Sequence, residues 1–261
     1  MSRLPAAVHS AAEVRAMDRH AIESQGIAGY TLMQRAGEAA FDLLLSAWPD
    51  ARRVLVACGA GNNGGDGYVL ARLAREAGLE VAVAALADPA RLGGDAARAH
   101  ADFVAGGGTT EPLTDALAAD ADVIVDALLG TGLDREVAGL LAECIGVVNA
   151  AGRPVLALDV PSGLHADTGR VLGAAVRADR TITFVGLKTG LFLGAAPAQV
   201  GELSFASLGV AAPAPPPRLL RIEPALLGTL LPRRARDAHK GAFGRVLVVG
   251  GGPGMPGAAR L

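Results

Sequence analysis

Residues 54–67 read VLVACGAGNNGGDG, a short apolar run that leads directly into a glycine-rich polar loop. A strand followed by such a loop and then by a helix is typical of nucleotide-binding α/β folds. Glycine lets the backbone approach a ligand closely, and the amides at the start of the next helix favour anions. An ordinary strand-to-helix turn needs only one or two glycines. The stretch therefore predicts a crevice for a nucleotide-type ligand.

The same loop differs from the one found in conventional dehydrogenases. Residues 59–64, GAGNNG, have the spacing GxGxxG, but the two asparagines and the Gly65-Asp66-Gly67 that follows do not give the usual dehydrogenase form of that motif. No acidic residue ends the next predicted strand, where one would bind the ribose, since Glu80 precedes that strand. A conventional NAD dehydrogenase is therefore disfavoured.

Strand-like and helix-like segments alternate along the chain around this loop. Helical spacing of apolar residues predicts helices over 12–24, 31–48, 68–77, 95–104 and 138–150. Short apolar runs predict strands at 54–57, 81–86, 123–125, 155–158 and 182–185, and an edge strand near 203–206. Nearly continuous apolar strands between helices indicate a mostly parallel sheet covered on both faces. The expected fold class is α/β, a Rossmann-like three-layer sandwich.

Two further polar, glycine-rich segments each follow a predicted strand. Residues 126–135 read DALLGTGLDR, and residues 159–164 read DVPSGL. Taken singly, Asp126 and Asp159 could each be a carboxylate that caps a helix. The carboxyl ends of parallel strands meet at one edge of a sheet, however, and ligands bind there. Three such clusters at one edge indicate a shared ligand site.

Three residues of these segments offer hard oxygen ligands. Asn63, Asp126 and Ser162 could converge, and Pro161 and Gly163 would hold Ser162 in a sharp bend. Oxygen ligands with a single carboxylate suit an alkali or alkaline-earth cation rather than zinc. Because the charge of this set is low, a monovalent ion is compatible with it.

Composition restricts the class of protein. The formal net charge is −2, which gives no sign of a general nucleic-acid binder. Cys58 and Cys144 lie in no metal-binding pattern, so we expect buried thiols in a reducing compartment. The N-terminus lacks the apolar core of a signal peptide, and no apolar run approaches the ~18 residues of a membrane span. The sequence therefore predicts a cytoplasmic protein without membrane contact.

A domain boundary is predicted where prolines cluster. Residues 212–217 contain four prolines and should form a stiff connector. The remainder, residues 218–261, contains a basic stretch, a predicted strand at 246–249 and a glycine run at 250–254, and it is too short to supply its own core. We therefore expect a first domain over residues 1–211 and an incomplete second domain after the connector.

Together, these motifs resemble the NAD(P)H-hydrate epimerase family over residues of about 10 to 210. The resemblance is carried by Met17-Asp18, by LMQRAG at 32–37, by NNGGD at 62–66, by the 126–132 turn and by DVPSG at 159–163. The segment HKGAFGR at 239–245, with the strand and glycines after it, is similar to the opening of an ADP- or ATP-dependent NAD(P)H-hydrate dehydratase with a ribokinase-like fold. Only the start of that domain is expected here, so no dehydratase activity is expected.

The resemblance implies epimerisation of the R and S forms of hydrated NADH and NADPH, in which water has added across the nicotinamide ring. It implies K⁺ as the cation held by Asn63, Asp126 and Ser162, and a homodimer through the N-terminal helices. For this reaction one carboxyl has to donate and recover the proton of the hydroxyl, and our candidate for that general acid is Asp159. The implied contacts with the hydrated dinucleotide are Asn62, Asn63, Gly64, Gly65, Asp66, Gly130, Thr131, Gly132, Leu133, Asp134, Arg135, Glu136 and Asp159.

Two alternatives from other classes are a non-catalytic nucleotide-binding or regulatory module of the same fold and a generic Rossmann oxidoreductase. A degenerate module would be expected to lose Asp159 or the NNGGD loop, and this chain keeps both. Lys188 follows a predicted strand, and two interpretations of it stay open: neutralisation of a phosphate, or exposure at the surface.

Overall fold

The computed structural model describes residues 4–211 and 219–230, together with the single residues 236, 237, 239, 241, 247 and 257. The chain divides into two compact units, Met1–Arg221 and Ile222–Leu261. The predicted connector at 212–217 and the predicted glycine run at 250–254 lie outside the described residues. Most of the predicted strand at 246–249 and most of the ribokinase-like segment also lie outside them.

The first unit contains alternating helices and strands. In chain order these are β1 (Ala7–His9), α1 (Ala11–Glu23), α2 (Gly29–Ala47), β2 (Arg53–Cys58), α3 (Asn62–Glu76), β3 (Glu80–Ala85), α4 (Gly94–Ala105), β4 (Thr110–Glu111), α5 (Asp115–Asp120), β5 (Val123–Ala127), α6 (Leu140–Ala150), β6 (Val155–Leu158), β7 (Arg180–Phe184), β8 (Leu187–Lys188), α7 (Ala196–Gln199), β9 (Glu202–Ala206) and β10 (Leu219–Leu220). In the second unit the described residues form helix α8 (Pro224–Leu230).

A seven-stranded sheet forms the centre of the first unit, in the order β4-β3-β2-β5-β6-β7-β9. All of its neighbouring strands pair in parallel. The Rossmann-like α/β prediction is therefore confirmed, and the last strand lies at the edge as expected. Parallel strands need crossover connections, and the helices that supply them cover the sheet.

The hydrophobic core lies on both faces of this sheet, because successive side chains of a strand point to opposite faces. Along β2, Val54, Val56 and Cys58 pack with helices α2, α3 and α4. Leu55 and Ala57, between them, pack on the other face with helices α5 and α6. A continuous apolar run such as residues 54–58 is thus what a strand buried on both faces requires.

Helix α3 begins at Asn62, six residues before the predicted start at Tyr68. The glycine-rich segment was expected to form a loop, but most of it forms the first turns of this helix. The prediction was wrong because glycine is a poor helix former by propensity. Here tertiary packing favours glycine within the helix, because a Cβ at Gly67 would lie 2.6 Å from Ala127 Cβ and 2.9 Å from Cys58 Sγ. Glycine therefore allows the helix to pack directly on the sheet.

Seven short elements were not expected from the sequence, namely β1, β4, α5, β8, α7, β10 and α8. Each is too short to show a hydrophobic period. Strand β1 lies between β8, which runs parallel to it, and β10, which runs antiparallel. The pairing of His9 with Lys188 in β8 places the start of α1 beside the end of β7. The N-terminal helix is thereby held near the carboxyl edge of the main sheet.

The composition predicts two buried cysteine thiols and no membrane-spanning helix. Cys58 and Cys144 are both free and buried, as expected. Within the described part of the chain, no helix has the length and apolar character needed to cross a membrane.

The packing of α3 predicts that Gly67→Ala destabilises the fold, by about 1–3 kcal/mol in the free energy of unfolding, because the added methyl overpacks the helix–sheet contact. Gly146→Ala is the matched control, since Gly146 lies inside α6 with no atom within 4 Å of its would-be Cβ. That substitution should stabilise the protein by about 0.5–1 kcal/mol through helix propensity. Urea unfolding of both variants measures the difference. Equal effects of the two substitutions would contradict the close-packing argument.

Candidate functional site

Three loops meet at the carboxyl edge of the sheet, after β2, β5 and β6. The Gly59 amide donates to the Ala127 carbonyl (3.0 Å), which joins the first two loops. A cavity of about 520 Å³ opens above them, and a volume of this size is typical of small-ligand sites. The predicted site residues that line it are Asn62, Asn63, Asp66, Gly130, Thr131, Gly132, Leu133 and Asp159.

Five predicted substrate-binding residues lie away from the lining of this cavity. Gly64 and Gly65 are buried in the first turns of α3, and a Cβ at Gly64 would lie 2.1 Å from the Gly59 carbonyl oxygen. Asp134, Arg135 and Glu136 are exposed beyond the end of the lining. Contacts of these five residues with a substrate stay predictions.

The three residues predicted to hold a cation come together beneath the cavity. Ser162 Oγ donates to Asp126 Oδ1 (2.6 Å), and the Ser162 amide donates to Asp126 Oδ2 (2.8 Å). The Leu129 amide donates to Ser162 Oγ (2.8 Å), and Asn63 Nδ2 donates to the Leu129 carbonyl (2.9 Å). Leu129 thus connects all three side chains.

The bend that carries Ser162 depends on the glycine after it. Gly163 has φ +91°, and a Cβ there would lie 1.8 Å from the Ala174 carbonyl oxygen. This is backbone geometry that only glycine adopts without strain. The bend predicted from Pro161 and Gly163 is present.

Among the described residues, no cationic side chain pairs with the Asp126 carboxylate, and no donor reaches the Asn63 Oδ1 atom. Asp126 is fully buried, and burial raises its pKa to about 6, although hydrogen bonds from Ser162 and Leu128 oppose the shift. Asn63 Oδ1 is buried and has no hydrogen-bond partner among the described residues. Amide, hydroxyl and carboxylate oxygens are ligands for hard cations. The residues present therefore fit a cation of low charge.

Asp159 is paired with a residue that the sequence did not connect to it. The Lys188 ammonium forms a buried ion pair with Asp159 Oδ1, and it also donates to Thr183 Oγ1 (3.0 Å) and to the Phe184 carbonyl (2.8 Å). Lys188 is 1% exposed, so the interpretation of Lys188 as an exposed surface residue is wrong. Its ammonium pairs with the Asp159 carboxylate, which is a different contact from the phosphate neutralisation considered from the sequence. The partner comes from β8, which is two residues long and gives no sequence signal.

Helices α1, α2 and α4 supply walls of the cavity that the motif analysis did not predict. Helix α1 contributes Arg15 and Asp18, and Arg15 Nη1 donates to the Thr131 carbonyl (3.1 Å). Helix α2 contributes apolar side chains, and α4 contributes Asp95. The signal was present in part, because Met17-Asp18 and the 32–37 segment carry the family resemblance noted above.

Two of the carboxyls that line the cavity, Asp66 and Asp18, have raised pKa values. Burial raises the pKa of Asp66 well above its usual range, and the negative charges of Asp159 and Asp18 add to the shift while Lys188 opposes it. Burial also raises the pKa of Asp18, against the effect of Lys188. Asp66 and Asp18 therefore keep a proton to higher pH than an exposed aspartate does.

The start of α3 offers groups for an anion. Gly61, at the N-cap position, gives no side-chain cap, and the helix has no acidic residue in its first turn. The first four amides of a helix lack intrahelical partners, and the helix dipole favours negative charge there. Asn62 and Asn63, in this turn, line the cavity. The arrangement can hold a phosphate-bearing ligand next to buried carboxyls.

Comparison with known proteins agrees with this arrangement. The family model described as YjeF-related protein N-terminus matches residues 29–190. The bifunctional NAD(P)H-hydrate repair enzyme of Coxiella burnetii is 48% identical over 254 residues, which is 95% of this chain and 51% of that protein. The corresponding enzyme of Escherichia coli is 42% identical over 260 residues, 99% of this chain and 50% of that protein. The chain thus spans about half the length of these curated relatives.

A shorter relative is matched over almost its whole length. The NAD(P)H-hydrate epimerase of Limosilactobacillus fermentum is 43% identical over 199 residues, which is 76% of this chain and 94% of that protein. The crystal structure of the yeast protein ynu0 (YNL200c) has a TM-score of 0.63 and 20% identity, over 70% of this chain and 82% of that chain. At that identity the yeast structure supports the fold alone.

The hydrogen bonds of Ser162 predict that Ser162→Ala destabilises the protein by about 1–3 kcal/mol, because the buried Asp126 carboxylate loses its hydroxyl donor and the Leu129 amide loses its acceptor. Ser46→Ala is the control: its exposed hydroxyl donates only to the Leu43 carbonyl within α2, so its effect should stay within about 0.5 kcal/mol. Urea unfolding measures both. A Ser162→Ala variant as stable as the control would show that the oxygen cluster does not hold the loops together.

Proposed function

Because the chain belongs to the family of YjeF-related protein N-terminal domains, we propose that it is an NAD(P)H-hydrate epimerase that interconverts the R and S hydrates of NADH and NADPH. The observation that carries the proposal is the meeting of three strand-end loops at one cavity, where the partly buried carboxyls Asp66 and Asp159 lie beside an uncapped helix N-terminus. A hydrated dinucleotide needs both features. Its pyrophosphate requires anion-binding groups, and its altered ring requires acid–base groups.

In the proposed binding mode, backbone amides hold the pyrophosphate. The candidates are those of the first turn of α3, from Asn62, and those of the turn Gly130–Thr131–Gly132. Arg15 lines the same cavity and adds a positive charge at its exposed side. Such amides and a cation bind phosphate oxygens without a basic surface. The nicotinamide end then faces the carboxyls Asp66 and Asp159.

The proposed reaction breaks and re-forms one carbon–oxygen bond. The hydroxyl-bearing carbon lies next to the ring nitrogen, whose electron pair can displace the hydroxyl and form an iminium ion. A general acid in the site assists by protonating the hydroxyl as it leaves. Water then adds to the opposite face of the same carbon. No redox change occurs, so the proposal needs no second substrate.

We further propose that K⁺ binds at Asn63, Asp126 and Ser162. The unpartnered Asn63 Oδ1 and the buried charge of Asp126 support this assignment. When bound, the ion would supply positive charge that offsets the Asp126 carboxylate and would order the loops that follow β5 and β6. Within the described residues, no group of three or more His, Cys, Asp or Glu side chains is arranged for another metal.

Finer expectations belong to the same proposal. We propose a homodimer through the N-terminal helices, where Ile22 on α1 is an exposed large apolar residue, and a cytoplasmic location. We also keep the proposed boundaries, with the epimerase domain over 1–211 and the connector over 212–217. The strand β10, which pairs with β1, nevertheless lies in the same unit as the main sheet.

The activity predicts that the chain converts the purified R hydrate of NADH into a mixture with the S hydrate, as measured by chromatographic separation of the two epimers. Asp159→Asn should lower kcat by about 10²–10⁴-fold, the typical contribution of one acid–base group. An exposed control, Asp42→Asn on α2, should leave kcat unchanged. Wild-type protein that binds the hydrate without converting it would favour the non-catalytic module, and oxidation of intact NADH would favour an oxidoreductase.

The cation site predicts that K⁺ raises the melting temperature. At ten times its Kd, K⁺ should add about 1.4 kcal/mol to the free energy of unfolding. Asn63→Ala should abolish the difference between K⁺ and a bulky organic cation at equal ionic strength. Asn149→Ala is the matched control, because the Asn149 side chain donates to the Ala175 carbonyl and accepts from the Arg177 amide, away from the cluster. It should lower stability but keep the K⁺ effect, and loss of the effect in both variants would contradict the assignment.

A further inference from the structure

One buried ammonium group faces the acidic cavity from below. Lys188 uses all three of its donor hydrogens, on Asp159 Oδ1, Thr183 Oγ1 and the Phe184 carbonyl. It is 1% exposed. A substrate in the cavity would therefore find no free donor on Lys188. Its hydrogen bonds therefore act on the site through Asp159, while its positive charge also opposes the raised pKa of Asp66.

The two carboxylate oxygens of Asp159 have different neighbours, Lys188 on one side and Gly130 on the other. Its Oδ1 atom takes the ion pair with Lys188, and its Oδ2 atom lies toward Gly130, where an added Cβ would be 3.2 Å away. Asp159 and Gly130 both line the cavity. The residue has φ +66°, a left-handed conformation that is strained for aspartate and that persists at functional sites. The backbone and Lys188 together hold the carboxylate in one orientation.

Asp66 lies in the same cavity but, unlike Asp159, has no ion pair with a Lys or Arg of the described residues. It projects from the first turns of α3. Burial raises its pKa well above the usual range, and the negative charges of Asp159 and Asp18 act in the same direction. The cavity thus contains a paired, charged carboxylate and an unpaired carboxyl that favours the neutral form.

The other charged groups around Asp66 do not reverse this difference. Helix α1 brings Asp18 and Arg15 to the cavity, α4 brings Asp95, and the strands bring Asp159 and Lys188. Helix α2 lines the same space with apolar side chains. Arg15 is exposed at its rim and donates to the Thr131 carbonyl, and the Lys188 ammonium is committed to Asp159. Carboxyls therefore outnumber the cations that could keep Asp66 ionised.

We propose that the two carboxyls have separate roles: Asp66 is the acid that protonates the departing hydroxyl, and Asp159, held as a carboxylate by the positioning residue Lys188, stabilises the cationic ring. This inference rests on the proposed epimerase function and deepens it. It also revises the sequence-based assignment of the general acid to Asp159. Two carboxyls with different environments and different tasks are a recurring arrangement in acid–base enzymes.

The reaction then balances as follows. Asp66 gives its proton to the hydroxyl, the carbon–oxygen bond breaks, water leaves, and the nitrogen electron pair forms the iminium double bond. The Asp159 carboxylate, through Oδ2, lies beside a positive charge that is absent from the starting hydrate, so its attraction acts mainly on the transition state. Water adds to the other face, the electron pair returns to nitrogen, and the released proton returns to Asp66 through solvent in the cavity.

The first experiment compares pH profiles of kcat for conversion of the R hydrate of NADH by the full chain. In the wild type, kcat should fall as the pH rises through the raised pKa of Asp66, because the acid loses its proton. Asp66→Asn should lower kcat by about 10²–10⁴-fold, remove that basic limb and change KM little. Asp42→Asn, exposed on α2, is the matched control and should keep the wild-type profile.

Lys188→Met tests the positioning role with a side chain of similar size and no charge. Without the ammonium, Asp159 loses its ion pair and Asp66 loses the positive charge that opposes its raised pKa, so kcat should fall and the basic limb should move to higher pH. A merely structural role for Lys188 would lower the amount of folded protein and leave the shape of the profile unchanged. Circular dichroism at each pH separates these cases, and Thr183→Val, which removes one acceptor of Lys188, is a milder variant that should shift the profile in the same direction.

The outcomes separate the two proposals. If the wild type does not convert the hydrate, the proposed function fails, and carboxyl ¹³C NMR still tests the charge states, with Asp66 assigned by its absence in Asp66→Asn. A neutral Asp66 at neutral pH in the wild type supports the inference, and an ionised Asp66 overturns it. If the wild type is active, the inference is overturned by an Asp66→Asn variant of unchanged kcat, by Asp18→Asn removing the basic limb instead, or by an unaltered profile in Lys188→Met and Thr183→Val.

Discussion

The buried carboxylate of Asp126 is the interaction on which the architecture of the site depends. It ends the central strand β5 in a fully buried position, where an ionised group is costly unless polar partners surround it. Those partners are Ser162, from the loop after β6, and the Leu128 amide. Leu129 then binds Asn63 at the start of α3. Satisfying one buried charge therefore brings three separate loops into a single site.

The close contact between α3 and the sheet is the second condition for this arrangement. Gly67 packs on Ala127 and Cys58 without space for a methyl group. The first turn of the helix is thereby brought down to the level of the strand ends, where Asn63 reaches Leu129 and Asp66 reaches the cavity. None of the glycines Gly59, Gly61, Gly64, Gly65 or Gly67 has a positive φ. Four of them, all but Gly61, allow close approach, because an added Cβ there would lie 1.9 to 2.6 Å from a neighbouring atom.

Much of the fold could be predicted because its signals are local. Strands such as residues 54–58 are continuous apolar runs, and helices such as α2 show a clear apolar face, so the parallel sheet with helices on both faces followed directly. The elements that were not predicted are two to seven residues long, and the strands among them depend on pairing with distant parts of the chain, as β1 does with β8. Such pairings have no hydrophobic period to reveal them. The start of α3 was misplaced for a related reason, since tertiary packing overrides the weak helix propensity of glycine.

For the site, the sequence by itself determined which oxygen and carboxyl groups follow the strands, and hence that Asn63, Asp126, Ser162 and Asp159 share one edge of the sheet. This follows because the carboxyl ends of parallel strands always meet on the same side. Only the tertiary structure decided the surroundings of each carboxyl. The ammonium that pairs with Asp159 lies 29 residues away in the chain, and Asp66, which is partly buried, shares its cavity with side chains of α1 and α2. Charge states depend on solvent exclusion and on neighbours in space, and neither quantity is present in the order of the residues.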